Sequence, residues 1–416
     1  MKLLWLCNMV PGAVKQAMTG KEGNGLWVDH VLQDLRNQED LEIRILCPYK
    51  KEREGKLDGR CRCSYRTFCT KLPHQYLPEL EERFLRELEE FKPDVIHSWG
   101  VEYAHALAMA NAAEKTGCLN RMAVSIQGLC GFIAGHYCEG IPHKVQRSTT
   151  FRDFLRKDNI LQQQHKFELR GELERQTLKK VSHIIGRTHW DRACTASVNP
   201  NAVYHVCNET LRTPFYQDAW QYHRCRKHHI FAPGCSYPVK GFHHLLEAFA
   251  EVLKTWPDAT LSLPGKSYLK AGMLRRNSYQ KYLAELTRQY GLEDKIEFLG
   301  SLDAAGMKKA CLEANVFAMP STIENSPNAL GEAMILGVPC VAADVGGVTT
   351  LMTHQTEGFV YQSTAPYILA HFIKEIFAME AGASALGQSA RAHALKTHDP
   401  EANLRDLLNI YREIGQ

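Results

Sequence analysis

Apolar positions along the 416-residue chain fall into two kinds of segment. Short runs such as "KLLWLC" at Lys2, "LEIRILC" at Leu41, "DVIHSW" at Asp94 and "MAVSIQG" at Met122 are strand-like, with apolar residues at successive positions. Between them, "LWVDHVLQDL" and "AHALAMANAAE" repeat apolar residues every three or four positions. The first kind predicts strands buried on both faces and the second predicts helices, so the alternation predicts parallel sheets with helices on both sides. The second half repeats the logic, from "HHIFAPG" into "GFHHLLEAFAEVLKTW", "ATLSLPG" into "YQKYLAELTRQYG", "KIEFLGS" into "AGMKKACLEAN", and "VFAMPS" into a helix near Asn328. Each of these strands ends in glycine or proline near its carboxyl end, the edge where open α/β sheets bind ligands.

A chain this long exceeds one ordinary core and predicts two doubly wound domains. The boundary falls in "CNETLRTPFYQDAWQYHRCRK", which has neither period, giving an N-terminal domain over 1–206, a linker over 207–226 and a C-terminal domain over 227–395. Residues 396–416 hold a terminal helix after Pro400, free to pack back on the N-terminal domain. A long helical stretch from Ile160 has mixed charges that give it a solvent face and leave peripheral contact with a membrane surface open.

Composition narrows the class without changing the fold. At 44% hydrophobic and 23% charged residues, with net charge +4, the chain reads as globular and carries too little basic excess for nucleic acid. "MKLLWLCNMVPG" is too short an apolar run for a signal core or a membrane span and reads as the first strand, which gives a cytoplasmic expectation. Fourteen cysteines scattered through apolar runs fit reduced core thiols. "CRCSYRTFC" lacks the paired spacing of structural zinc and alternates as a strand or hairpin does, so no metal site is expected.

The segment "PSTIENSPNALGEAMILGVPC" carries the chemistry. A strand ends at Pro320, a loop holds Glu324, and a helix begins near Asn328 with Pro327 before it and Asn328 as its expected N-cap. Its first N–H groups, around Ala329 and Leu330, have no partner inside the helix and sit at its positive end, where a phosphate fits. Glu324 before the helix and Glu332 inside it could then each grip a hydroxyl-bearing ring of one ligand, as in a sugar joined through a diphosphate to a nucleoside. Equally, Glu332 could be a helix acid favoured by the dipole and Glu324 an exposed loop acid. In "FAPGCSYPVKGFHHLLEAF", Gly234 and Lys240 lie between a strand and a helix, so Lys240 could compensate diphosphate charge or be an ordinary surface lysine.

The segments "GCSYPVKGFHHLLEAF", "IEFLGSLD", "ANVFAMPSTIENSPNALGEAMILGVPCVAADVGGV" and "EGFVY" resemble the donor half of the retaining glycosyltransferases of family 4, which have the GT-B fold. "KPDVIHSWGVEYAHALAMA", "AVSIQG", "IIGRTHWDRA" and "CNETLRTPFY" resemble, more loosely, the N-terminal half of bacterial members that build surface polysaccharides. The resemblance implies that Glu324 meets the donor sugar and Glu332 the ribose. It also implies that the stretch Ser326, Pro327, Asn328, Ala329 and Leu330 holds the distal phosphate through its backbone N–H groups, proline excepted, and that Lys240 serves the diphosphate. The glycine loop at Gly23 and Gly25 would approach the phosphates from the N-terminal domain. It implies transfer from a nucleotide-diphosphate sugar to a glycan or lipid-linked hydroxyl with retention, by front-face attack, with no cofactor and no metal.

Departures from the family pattern matter. Cys235 stands where relatives often carry an arginine, with Arg187 and Lys266 as substitutes, and Gln127 stands where many carry a histidine. Glutamine donates a hydrogen bond but cannot shuttle a proton, leaving His97 and His136 as polar candidates beside it, His136 on the acceptor side. Thr349 and Thr350 follow "GGV" where relatives place an acid. The rival readings are a nucleotide-sugar epimerase or hydrolase, and a non-catalytic protein that keeps the fold and binds a nucleotide sugar.

Overall fold

The computed structural model describes residues 1–21 and 27–416, without the side chains of Trp27 and Met273. The chain divides into two compact units: Met1–Ala134 with Lys166–Arg212 and His398–Gln416, and Gly135–His165 with Thr213–Thr397.

The first unit is built on β1 (Lys2–Cys7), β2 (Glu42–Pro48), β3 (Glu54–Leu57), β4 (Arg62–Phe68), β5 (Val95–Trp99), β6 (Met122–Ser125), β7 (His183–Gly186) and β8 (Val203–Val206). They form one sheet in the order β3-β4-β2-β1-β5-β6-β7-β8. All neighbours are parallel except β3 and β4, so "CRCSYRTFC" supplies one arm of an antiparallel hairpin at the sheet edge. Cys61 and Cys63 are buried there among core side chains. The central strands β1 and β5 are apolar because helices cover both of their faces.

The C-terminal helix Pro400–Ile414 belongs to this unit and buries Leu407, Ile410, Tyr411 and Ile414 in the core around Trp5. Tyr411 is wholly buried, and its hydroxyl lies 3.1 Å from Trp5 Nε1 and 2.6 Å from His97 Nδ1. An indole N–H can only donate, so Tyr411 accepts from Trp5, and His97 bridges the Tyr411 hydroxyl and Ser125 Oγ, the latter 2.7 Å from its Nε2.

The second unit holds β9 (His229–Phe231), β10 (Thr260–Leu263), β11 (Ile296–Phe298), β12 (Val316–Met319), β13 (Cys340–Asp344) and β14 (Phe359–Gln362). All pair in parallel in the order β11-β10-β9-β12-β13-β14. Strand order therefore reverses between β9 and β12, and the crevice outside their carboxyl ends is the position at which such sheets bind ligands.

This division differs from the expected domains in one long segment, Gly135–His165, which lies in sequence with the first unit and packs in the second. Isolated polar contacts, which leave no period in the sequence, fix it there. The wholly buried Asp153 accepts from Ser278 N at 2.7 Å, Thr150 Oγ1 donates to the Arg276 carbonyl at 2.8 Å, and His243 Nε2 meets the Glu139 carbonyl at 3.0 Å. The chain passes from one unit to the other at 212–213, inside the expected linker, and again at 397–398.

Candidate functional site

Two loops meet at the switch point of the second sheet. After β9 the chain runs through Gly234 to a single helical turn, Pro238–Lys240, and Gly241 then opens the helix Phe242–Leu253. Gly241 has φ 61°, and a Cβ there would lie 1.8 Å from the Pro320 carbonyl oxygen, so glycine lets this loop lie against the one after β12. Thr322 N donates to the Val239 carbonyl at 2.9 Å and joins the two. Gly234 has open space where a Cβ would be, which leaves its backbone accessible.

The pairing of the two loops brings Lys240 Nζ to 2.6 Å from Glu324 Oε1. Ser321 Oγ donates to the same oxygen at 2.8 Å, while Glu324 Oε2 has no partner among the described residues. Burial works against the Lys240 ammonium, but the adjacent carboxylate, helped by Tyr237, outweighs it and holds the lysine well above its ordinary range. The Glu324 backbone is fixed from the other side. Gly347 N donates to its carbonyl at 3.0 Å, and Gly346, at φ 52°, lies so close that a Cβ would come within 1.8 Å of that oxygen.

The helix Asn328–Leu336 starts just beyond, with Pro327 rather than Asn328 at its N-cap and no side chain capping it. Asn328 instead takes the first helical position, with its Oδ1 buried and unpartnered. Leu330 N is occupied by the Pro327 carbonyl at 2.9 Å, which removes it from the expected phosphate amides. The N–H groups of Ser326, Asn328 and Ala329 donate to nothing among the described residues, so three amide donors remain at the positive end of the helix. Glu332, one turn further in, is buried.

His136 lies in the second unit: its carbonyl accepts from Thr322 Oγ1 at 3.1 Å, and its half-exposed ring meets Glu139 Oε2 at 2.9 Å. The backbone of His136 therefore adjoins the Glu324 loop. Glu139 Oε1 in turn accepts from Ser363 Oγ at 2.9 Å.

Other expected residues take structural places. His97 is 1% exposed, both ring nitrogens are bonded, and burial brings its pKa down to about 3, so it is a neutral core histidine and not a site group. In the first unit Gln127 Nε2 donates to Glu209 Oε1 at 2.7 Å, and the buried Arg187 pairs with the same oxygen at 2.8 Å. Arg187 is thereby neutralised by Glu209 instead of standing as a spare cation for a diphosphate. Burial pushes the Cys235 thiol up to about 12, so it adds no charge. Lys266 is exposed and lines a groove of about 1100 Å³ beside β11. Gly23 and Gly25 lie outside the described residues, among which no cluster has the makings of a metal site. Sequence reasoning missed Ser321, Thr322 and the need for Gly241 and Gly346; the Lys-Gly and Gly-Gly pairs were the only signals available.

Comparison with known proteins converges on this unit. Residues 226–393 match the family described as "Glycosyl transferases group 1". A D-inositol 3-phosphate glycosyltransferase of Segniliparus rotundus is 30% identical over 175 residues, 42% of this chain and 37% of that protein. An uncharacterized glycosyltransferase of Methanocaldococcus jannaschii is 23% identical over 42% of each. The chain thus spans about two fifths of the length of the curated relatives it matches. Solved structures extend the likeness over both units: sucrose-phosphate synthase from Thermosynechococcus elongatus, with TM-score 0.71 and 16% identity, covers 100% of this chain and 99% of its own. Anabaena HepE in complex with UDP-glucose, with TM-score 0.67 and 17% identity, covers 99% of this chain and 100% of its own. The fold is GT-B, two Rossmann-like α/β domains with parallel sheets.

Proposed function

We propose that the protein is a glycosyltransferase that moves a sugar from a nucleoside-diphosphate donor to an acceptor hydroxyl with retention of anomeric configuration, in glycan or surface-polysaccharide synthesis. The observation that carries this reading is the convergence of an ammonium, a carboxylate and unpaired helix amides at the switch point of the second sheet. The group 1 family match over the same residues, and the UDP and UDP-glucose bound by HepE, support it and make uridine diphosphate the first nucleotide to try.

The roles follow from charge. Lys240 and the Asn328 and Ala329 amides face the diphosphate and stabilise the negative charge that grows on it as the glycosidic bond breaks, with no metal needed for that charge. Glu324, held by Ser321 and by its clamped backbone, orients the sugar through Oε2, and Glu332 meets the ribose. In a front-face attack the acceptor oxygen bonds to the anomeric carbon as the diphosphate oxygen departs, and that oxygen takes the acceptor's proton. Glu324 then needs no nucleophilic role, unlike the paired carboxylates of many glycosidases. The His136 segment, beside the Glu324 loop, suits the acceptor side. A lipid-linked acceptor would place the protein at the cytoplasmic face of a membrane.

A thermal-shift panel of nucleotide sugars tests the donor, since the right one raises the melting temperature by mass action. Incubation with that donor and a glycan acceptor follows, with the anomeric proton of the product read by NMR. Free or epimerised sugar from donor alone would instead make the protein a hydrolase or epimerase, and donor binding without any turnover would make it a non-catalytic binding protein.

A further inference from the structure

The segment Gly135–His165 carries more exposed apolar surface than packing explains. In the short helix Phe151–Arg156, Phe151, Phe154 and Leu155 are 57%, 72% and 65% exposed, although the helix is firmly held by a Thr150–Asp153 capping box. Thr150 is tied to the Arg276 carbonyl, which brings the turn Met273–Arg275 alongside, and Leu274 of that turn is 69% exposed. Isolated exposed apolar residues need no account, but four large ones on two adjoining elements form a patch of the kind that marks an interaction surface.

Charge flanking this patch in sequence is mostly basic, and the next acid, Asp158, pairs with Arg152 as Asp153 does. Residues 143–157 hold five Lys or Arg and one acid, Asp153, and residues 266–276 hold four Lys or Arg and no acid. Asp153 is wholly buried and spent on Arg152 and Ser278 N. Lys144, Arg147, Arg156 and Arg275 are exposed, and none makes an ion pair among the described residues. Exposed apolar side chains flanked in sequence by exposed, unpaired cations match a surface that is apolar inside and lined by phosphates at its rim.

We infer that this patch docks the protein on an anionic lipid bilayer, with Phe151, Phe154, Leu155 and Leu274 entering the headgroup boundary and the surrounding Lys and Arg meeting lipid phosphates. The patch lies apart from the long helix Ile160–Lys180, for which the sequence leaves membrane contact open, and no described helix is long and apolar enough to cross a membrane. Docking is independent of the transferase reading, because it is read with no sugar donor present.

Sedimentation of the full chain with vesicles tests it. The protein should sediment with vesicles containing phosphatidylglycerol and remain in solution with phosphatidylcholine alone, and high salt should release it. F154S should weaken binding about tenfold, the scale of one buried large apolar side chain, and R147Q/R156Q about thirtyfold, at about 1 kcal/mol for each cation near the surface. Both variants alter exposed positions and should melt with the parent, which separates lost docking from lost folding. Failure to bind either vesicle, equal binding to both, or variants that bind as the parent does would overturn the assignment. Capture by polyglutamate in place of vesicles would overturn it in favour of an acidic protein partner.

Discussion

Replacing Glu324 by glutamine removes one charge from an ion pair whose charges cancel, and it separates the two jobs assigned to that pair. Lys240 Nζ is 2.6 Å from Glu324 Oε1, so an incoming diphosphate must share a lysine that the carboxylate already holds. The carboxylate also repels it: two unit charges about 5 Å apart in a partly buried site, at an effective dielectric constant of about 20 to 40, repel by about 1.5 to 3 kcal/mol. E324Q should therefore leave the affinity for a free nucleoside diphosphate unchanged or raise it, by up to about 1 kcal/mol or fivefold after rearrangement. Sugar transfer should disappear, because glutamine does not hold the sugar hydroxyls as a carboxylate does. K240A should act oppositely, costing about 1.5 to 3 kcal/mol of diphosphate affinity, the scale of a charged hydrogen bond. In the double variant the loss should be smaller than in K240A alone, since the unpaired carboxylate that would repel the ligand has gone too. Calorimetry with uridine, guanosine and adenosine diphosphates at fixed salt gives all four corners of the cycle. Equal losses of affinity in E324Q and K240A would refute the reasoning, because the carboxylate would then be a partner of the diphosphate and not its competitor.

Other variants test the scaffold. Gly346→Ala puts a Cβ within 1.8 Å of the Glu324 carbonyl at φ 52°, and should lower stability by about 2 kcal/mol or more while abolishing transfer, as read by urea unfolding and a transfer assay. Tyr411→Phe strips the hydroxyl shared by Trp5 and His97 and should cost about 1 to 3 kcal/mol with nucleotide affinity unchanged; altered affinity would return His97 to the site. Stability should also fall in acid, because burial depresses His97, His105 and His243 to about 3 and His229 to about 4. With folded values below the unfolded value of about 6.5, the unfolded chain binds more protons as pH falls below that value, so each histidine costs about 2 kcal/mol at pH 5, which a melting series at pH 7 and pH 5 would detect.

The parts of the fold legible in the sequence are those set by period. Strands of the second sheet fall on "HHIFAPG", "ATLSLPG", "KIEFLGS" and "VFAMPS" because parallel strands covered on both faces must be apolar throughout. The alignment of Lys240 with Glu324 was legible only as two residues at two strand ends; that they pair depends on strand order, which period does not encode. The docking of Gly135–His165 in the second unit rests on Thr150, Asp153 and Glu139, single polar residues indistinguishable in sequence from a solvated loop. His97 shows the limit from the other side. In sequence His97 could be a cleft residue or a satisfied core one, and only its contact with Tyr411, more than three hundred positions later, decides between them.

Because the chain changes units at 134–135, 165–166, 212–213 and 397–398, neither lobe is a contiguous piece of the gene. Cutting at the obvious linker to exchange donor halves between relatives would strand Asp153 and its buried carboxylate with the wrong parent, leaving Ser278 N and the Arg276 carbonyl exposed in the graft. A working chimera has to transplant two inserts together, and natural recombination across this locus would face the same constraint.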